Sequence, residues 1–515
     1  MNVQADHAEV TDWGPFDRPI LDDPDARSLS RVGVVDVGSN SVRLVVFDGA
    51  ARSPAYFYNE KIMCGLGSGL SETKRLNPKG RNRALEALKR FHLLAQGMGI
   101  GDLTVIATAA VREAEDGPAF CQDVKDQTGL NIHVIDGTEE ARLSAQGVLL
   151  GWPGSYGLIC DIGGSSMELA EISDGQVGRC VTSNLGPLQL QTMKGGRRKR
   201  LAHIRETINA LYETMGSQRD RLFLVGGSWR AIAKIDMYRR GYPLQVLHEY
   251  RMTRGSVIKT LKFLREHPDH SELRAACRIS STRMALIPVA SDVLGRLIKT
   301  FKPQDIAVSA YGIREGLLYE QMSPKLRDRD PLIEACRFAE AKDARLPGFG
   351  RQLYNFVIPL FKSAPKTRKR LIKAACLLHD VSWRAHPDYR AELCFDNATR
   401  ANLGGLKHAE RIYLGLALLH RYSSKREGTH FEGMLALLPE KDIREAEALG
   451  KAMRFGAMLW TQREADHGKF RWFPQKRLLE FHLSKAADSL YGEVPAARLK
   501  SLAAALDATL SVKLR

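Results

Sequence analysis

A nine-residue pattern occurs twice in this chain and restricts its fold more than any other feature. Asp36-Val37-Gly38-Ser39-Asn40-Ser41 runs on to Leu44, and Asp161-Ile162-Gly163-Gly164-Ser165-Ser166 runs on to Leu169. Each copy follows an aliphatic run, turns on small residues, resumes as a second strand-like stretch and then meets an Asp-Gly pair, Asp48-Gly49 or Asp174-Gly175. That reads as strand, small-residue turn, strand and a tight Asp-Gly turn. One such hairpin occurs in many folds. Two with the same flanks predict a duplicated domain whose halves face each other across a cleft, with Asp36 and Asp161 in equivalent places.

The flanking sequence continues as α/β. Helical patterning covers 79–96, strand patterning 103–108 and 132–135, and a helix is expected over 139–150. Residues 222–235 read as strand, Gly226-Gly227-Ser228 turn and helix, and 306–320 repeat that logic through Tyr311-Gly312. Alternation of this kind builds mixed sheets flanked by helices. From about Pro331 the chain turns Ala-, Leu- and Arg-rich with few β-branched runs, which predicts an all-helical domain. The expected organisation is therefore a tail over 1–30, a first lobe over 31–148, a second lobe over 149–325 and a helical domain over 326–515.

Charge narrows the partners. The 515 residues carry a formal net charge of +17. Residues 1–30 hold seven acids and two bases, net −5, so the rest carries +22. The acidic leader lacks apolar periodicity and is expected to be disordered. A body with that excess attracts polyanions. No apolar run approaches the ~20 residues that span a bilayer, and no secretory signal is visible. The eight cysteines are scattered without a C-x-x-C pair, as in a reduced cytoplasmic protein.

Phosphate suits paired Gly/Ser turns, because bare backbone N–H groups and hydroxyls donate to its oxygens. The candidates are Gly38, Ser39, Asn40, Ser41, Gly163, Gly164, Ser165 and Ser166. Asp36 and Asp161 stand at strand ends, where a carboxylate is costly to bury without a cation. Mg²⁺ takes one or two carboxylates plus water and substrate phosphates, which fits this pair; the alternative for either acid alone is a turn cap. Glu139 and Glu140 open a helix, and adjacent helical residues point about 100° apart, so one faces a cleft while the other is solvated or meets Arg142. Spacing does not choose between them. Arg112 stands where a guanidinium can fork onto phosphate, or pairs with Glu113 or Glu115. Glu168 and its counterpart Arg43 either enter the cleft, on metal-bound water and phosphate respectively, or are solvated.

At these residues the sequence resembles the exopolyphosphatase and guanosine pentaphosphate phosphohydrolase family, of the actin-like, ribonuclease-H-like fold. The matching stretches are Asp36 to Leu44, Thr108-Ala109-Ala110-Val111-Arg112-Glu113-Ala114, Glu139-Glu140-Ala141-Arg142, Asp161 to Glu168 and Tyr311-Gly312-Ile313-Arg314-Glu315-Gly316. The resemblance implies Mg²⁺-dependent release of terminal orthophosphate from inorganic polyphosphate, or hydrolysis of guanosine pentaphosphate, by a homodimer. It implies Glu140 as the base on water, Asp36, Asp161 and Glu168 as metal and water-organising acids, and the two turns with Arg43 and Arg112 as the phosphate cradle. Two departures stand out: Ser165 replaces the family's third glycine, and Met167 replaces its threonine, a packing position by alternation.

Leu377-Leu378-His379-Asp380 resembles the His-Asp pair of metal-dependent phosphohydrolases, so the C-terminal domain is expected to be HD-like. No His lies between Pro331 and Leu378, so the first metal ligand of that pattern is missing. The basic run Lys194, Arg197, Arg198, Lys199 and Arg200 reads as a polyphosphate track outside the cleft or as a solvated face, and so does the run from Lys366 to Lys373. A protein that binds polyphosphate or nucleic acid without turnover is the alternative of another class.

Overall fold

The computed structural model describes residues 20–21, 23–101, 103–216, 221–267, 269–423, 428–460 and 467–515. The chain divides into two compact units, Met1–Arg329 and Asp330–Arg515.

The first unit holds two mixed sheets of the same construction. Strands β1 (Ser28–Val37), β2 (Ser41–Ala50), β3 (Ser53–Met63), β4 (Leu103–Ala107) and β5 (Ile132–Val134) lie in the order β3-β2-β1-β4-β5. The second sheet comprises β6 (Gly157–Ile162), β7 (Met167–Ser173), β8 (Gln176–Ser183), β9 (Arg221–Val225), β10 (Tyr250–Met252) and β11 (Asp305–Val308). Its order is β10-β11-β9-β6-β7-β8. In each sheet three antiparallel strands continue into a parallel set, β1 beside β4 and β6 beside β9. These are two actin-like lobes.

The register repeats as well. Asp36 lies opposite Arg43 across β1 and β2, and Asp161 opposite Glu168 across β6 and β7. The valine-rich β1 is buried on both faces: Val32 and Val34 enter one core, Val35 and Val37 another. That explains a continuous apolar strand where alternation would mark a half-exposed one. The core reached by Val34, Ile159 and Phe223 lies between the sheets and contains helices Gly137–Gly151 and Ile313–Gln321. Those helices touch backbone to backbone. A methyl on Gly147 would strike the Gly312 carbonyl oxygen, and one on Gly316 the Leu143 carbonyl oxygen.

Several expectations need correction. The tail proposed for 1–30 falls partly outside the described residues, but its end is ordered. Ile20 and Leu21 are buried in the inter-sheet core, Ser323 Oγ donates to Asp25, and β1 begins at Ser28. Two apolar side chains suffice to anchor a segment whose charge pattern suggests solvation. Asp174-Gly175 makes the turn between β7 and β8, both residues at positive φ, whereas Asp48-Gly49 lies inside β2, which turns at Ala51-Arg52. The 148/149 border falls within the Gly137–Gly151 helix, whose apolar face serves the core between the sheets.

The second unit is largely helical but not all-helical. It ends in a three-stranded sheet of β12 (Gly468–Phe473), β13 (Leu478–Leu483) and β14 (Thr509–Leu514). It buries Phe470 on β12 and Leu479, Phe481 and Leu483 on β13, segments too short to stand out from the helical background. Among the described residues no helix is long and apolar enough to cross a membrane, and all eight cysteines are free thiols.

Candidate active site

The two small-residue turns meet at the mouth of a cavity of about 200 Å³ between the lobes. Each is closed by the same backbone hydrogen bond: Gly38 N donates to Ser41 O at 3.1 Å, and Gly163 N to Ser166 O at 3.0 Å. The tips touch, with Ser165 Oγ donating to Ser39 Oγ at 2.9 Å. Gly164 is pressed between Leu188 and Ser39, so a side chain there would close the approach. Ser165, the departure from the family pattern, is thus a bolt between the lobes. Met167 is fully buried in the core behind β7.

Asp36, Asp161 and Glu140 share the cavity wall. Glu140 reaches it from the first turn of its helix, which Asp136 caps by accepting from Glu139 N at 2.8 Å. Glu139 faces away and takes Arg142 through two bonds of 2.8 and 2.6 Å. Arg112 does not line the cavity; its Nη1 donates to Ile135 O at 2.8 Å and lies 3.5 Å from Glu140 Oε2. It therefore flanks the carboxylate from behind. Ser144, one helical turn beyond Glu140, donates to Asp161 Oδ2 at 2.5 Å.

Burial, then the charges of Asp161 and Asp36, push the Glu140 carboxyl up to about 8, against the pull of Arg112. Burial likewise raises Asp36 and Asp161. Glu168 lies below the wall, 1% exposed, accepting from Thr182 at 3.2 Å. Burial and the neighbouring Glu140 and Asp161 raise it well above the usual carboxylate range, and its Oε2 has no partner.

Five cations surround the three acids on the wall: Arg43, Lys61, Arg230, Arg283 and Arg314. Only Arg43 belongs to the candidates read from spacing. Arg230 and Arg314 follow the Gly226 and Gly312 turns, a signal visible as an arginine just beyond a strand-end glycine. Lys61 on β3 and Arg283 on the Ser281–Phe301 helix carry no local signal. Burial and the guanidiniums around it bring Lys61 down to about 8, and burial with Arg314 brings Arg43 to about 10. Nε and Nη1 of Arg314 are buried without an acceptor. Mutually repelling cations, one of them with unspent N–H groups, give this wall a chemistry that an anion would satisfy.

The acids fit a divalent cation for the converse reason. Burial raises the proton affinity of both Asp36 and Asp161, the charge of Asp36 adds to the rise at Asp161, and Glu168 Oε2 lacks a donor. They do not form a closed cage: among the described residues no three His, Cys, Asp or Glu side chains gather as a metal site. Of the expected trio, Asp36 and Asp161 line the cavity, while Glu168 lies off its lining and accepts from Thr182 of β8.

None of Lys194, Arg197, Arg198, Lys199 and Arg200 lines the cleft. Arg197 and Arg200 instead close on Asp292 at 3.0 and 3.8 Å. In the second unit Arg368 pairs with Asp442 at 2.8 Å and Arg370 with Asp330, so two of the cations of that basic run are spent on its own fold. His379 is buried and Asp380 is gripped by Arg345 Nη2 at 2.6 Å. Burial and then Arg421 bring His379 down to about 4. A guanidinium thus occupies the carboxylate that an HD centre would give to metal.

Two actin-like lobes, with Gly/Ser turns closing over an acid-and-arginine floor, define the structural class of this protein. The Ppx/GppA phosphatase family matches residues 45–325, and the exopolyphosphatase C-terminal family residues 344–512. The chain belongs to the Ppx/GppA phosphatase family. It is 26% identical over 443 residues to the Saccharomyces cerevisiae protein named Retrograde regulation protein 2, covering 77% of this chain and 73% of that one. It is 31% identical over 143 residues to Exopolyphosphatase 1 of Mycobacterium tuberculosis, 27% of this chain and 42% of that one. The chain therefore spans less than half of that relative. In fold it is similar to the crystal structure of the Aquifex aeolicus family member, at TM-score 0.50 and 23% identity, covering 56% of this chain and 97% of the other. An exopolyphosphatase from Cytophaga hutchinsonii gives TM-score 0.50 and 21% identity over 57% and 99%.

Proposed function

We propose that this protein is an exopolyphosphatase, releasing terminal orthophosphate from inorganic polyphosphate with Mg²⁺ by attack of water in the interlobe cleft. One observation carries the reading: a carboxylate of raised proton affinity, Glu140, shares a small cavity with five cations and two bare backbone turns. The turns at Gly38 and Gly163 and the unspent N–H groups of Arg314 cradle the terminal phosphoryl group, with Arg43 and Arg230 beside it. Asp36 and Asp161 would hold Mg²⁺, which neutralises phosphate charge and organises the transferred group. Glu140 takes the proton of the attacking water at its carboxylate, and Arg112 behind it holds the carboxylate in place. Ser144 fixes the orientation of Asp161.

The alternative substrate, guanosine pentaphosphate, requires room for a nucleoside. Here Arg283 lies over the third glycine turn, donating to Ser228 Oγ at 3.1 Å and filling the space beside Gly227. That supports a polymer of phosphates over a nucleotide end. Purified protein with Mg²⁺, given long polyphosphate and guanosine pentaphosphate separately, tests the choice by phosphate released. Faster release from the nucleotide reverses the preference. Release from neither, with polyphosphate still bound, favours a binding protein without turnover, the reading closer to the name of the yeast relative.

A further inference from the structure

The Ser281–Phe301 helix borders two cavities. Arg283 and Leu286 face the cleft, while Ile287, Pro288, Ser291 and Asp292 line a second cavity of about 550 Å³ that shares no residue with the first. Its other walls are the Gly196–Met215 helix, the Arg254–Glu266 helix and His270.

The lining divides by chemistry. Leu261, Leu264, Ile287 and Pro288 make an apolar wall. Arg197, Arg200 and Arg265 bring three cations against the single carboxylate of Asp292. Three polar atoms on this lining are buried and have no partner: Arg200 Nε, His270 Nδ1 and Ser291 Oγ. A buried hydroxyl, ring nitrogen or guanidinium N–H left unpaired costs the folded state stability. Three side chains of this lining thus keep a polar atom unspent, beside three cations and an apolar wall. The volume lies within the ~300–1,000 Å³ typical of small-molecule sites.

We propose that this cavity binds a nucleoside phosphate, separately from the catalytic cleft. The apolar wall accepts the flat base, His270 and Ser291 hydrogen-bond the sugar and base edge, and Arg200 and Arg265 meet the phosphate. An inorganic polyanion leaves the leucine wall unused, and a fatty acid leaves His270 and Ser291 unpaired. The run read from sequence as a polymer track thus supplies two of its arginines to this cavity.

Photolabelling of the full chain with 8-azidoadenosine 5′-monophosphate tests the site directly. Labelled peptides are expected within Arg254–Glu266 or Ser281–Phe301, protected by AMP. Ser291→Met fills the cavity and Arg265→Glu reverses an exposed charge at its rim. Each should cut labelling by about tenfold or more, with an unchanged thermal midpoint and unchanged hydrolysis of polyphosphate. Labels confined to the cleft, protection by palmitate but not AMP, or full labelling of the Arg265→Glu variant overturns the proposal. Polyphosphate hydrolysis is read separately, so its absence in the parent protein leaves this result intact.

Discussion

Ser165 and Ser39 share a hydrogen bond of 2.9 Å between the tips of two turns that are 126 residues apart in sequence, both side chains buried. Each turn belongs to a different sheet, so the bond ties the lobes at the mouth of the cleft. Ser165→Ala leaves the Ser39 hydroxyl unpaired and should lower stability by about 1 kcal/mol. Urea unfolding monitored by circular dichroism measures it; an unchanged midpoint shows that the bond contributes nothing net.

Glu140→Gln keeps shape and removes the base. Phosphate release from polyphosphate should fall by about 10²–10⁴-fold while polyphosphate binding stays near that of the parent. Single-turnover release and equilibrium binding on the same preparation separate the two. Parent-rate release by the variant would mean another group accepts the proton.

Metal-free stability should fall as pH rises. Glu140, raised to about 8, and the raised Asp36, Asp161 and Glu168 hold protons in the folded state that an unfolded chain releases near pH 4. The folded state therefore binds more protons, and stability declines between about pH 4 and 8. Calorimetry across that range should show a falling midpoint, partly restored by Mg²⁺ at the upper end and flatter in Glu140→Gln. A midpoint that rises over the window contradicts the burial of these acids.

Gly316→Ala places a methyl on the Leu143 carbonyl oxygen where the two central helices touch. Overpacking of this kind costs about 1–3 kcal/mol. Because both helices carry site residues, Glu140 and Ser144 on one and Arg314 on the other, kcat should fall with stability. Loss of stability at parent kcat would show that the helices adjust without moving the site.

In the second unit Arg345→Ala strips Asp380 of its guanidinium. Asp380 is nearly buried while Arg345 is about half exposed, so a loss of about 1–3 kcal/mol is expected. Chelators should leave that unit's unfolding midpoint unchanged, since the arginine stands where an HD metal would. A midpoint lowered by EDTA would restore the metal reading.

The duplicated motif made the two sheets legible because a strand–turn–strand repeat is encoded locally, in consecutive side chains and glycines. The twin turns, the equivalence of Arg43 and Glu168 in the two copies, and the helix carrying Glu140 follow from period and spacing, while the pairing of Asp36 with Arg43 and Asp161 with Glu168 across the strands came with the sheet register. Lys61 and Arg283 were not legible, because a lone cation on a strand or helix looks the same whether it faces solvent or a cleft. The last residues of the acidic leader misled for a related reason: two buried apolar side chains outweigh several solvated acids.

What the sequence determined by itself is therefore the repeat, the candidate carboxylates and the family. Spacing left Glu139 and Glu140 open and the family resemblance pointed to Glu140; only the tertiary structure decided that Arg112 stands behind it and that Arg197 and Arg200 turn to Asp292. The physical reason is range. Backbone geometry and hydrophobic period act over a few residues, whereas a charge finds its partner through the packing of segments a hundred or more residues apart.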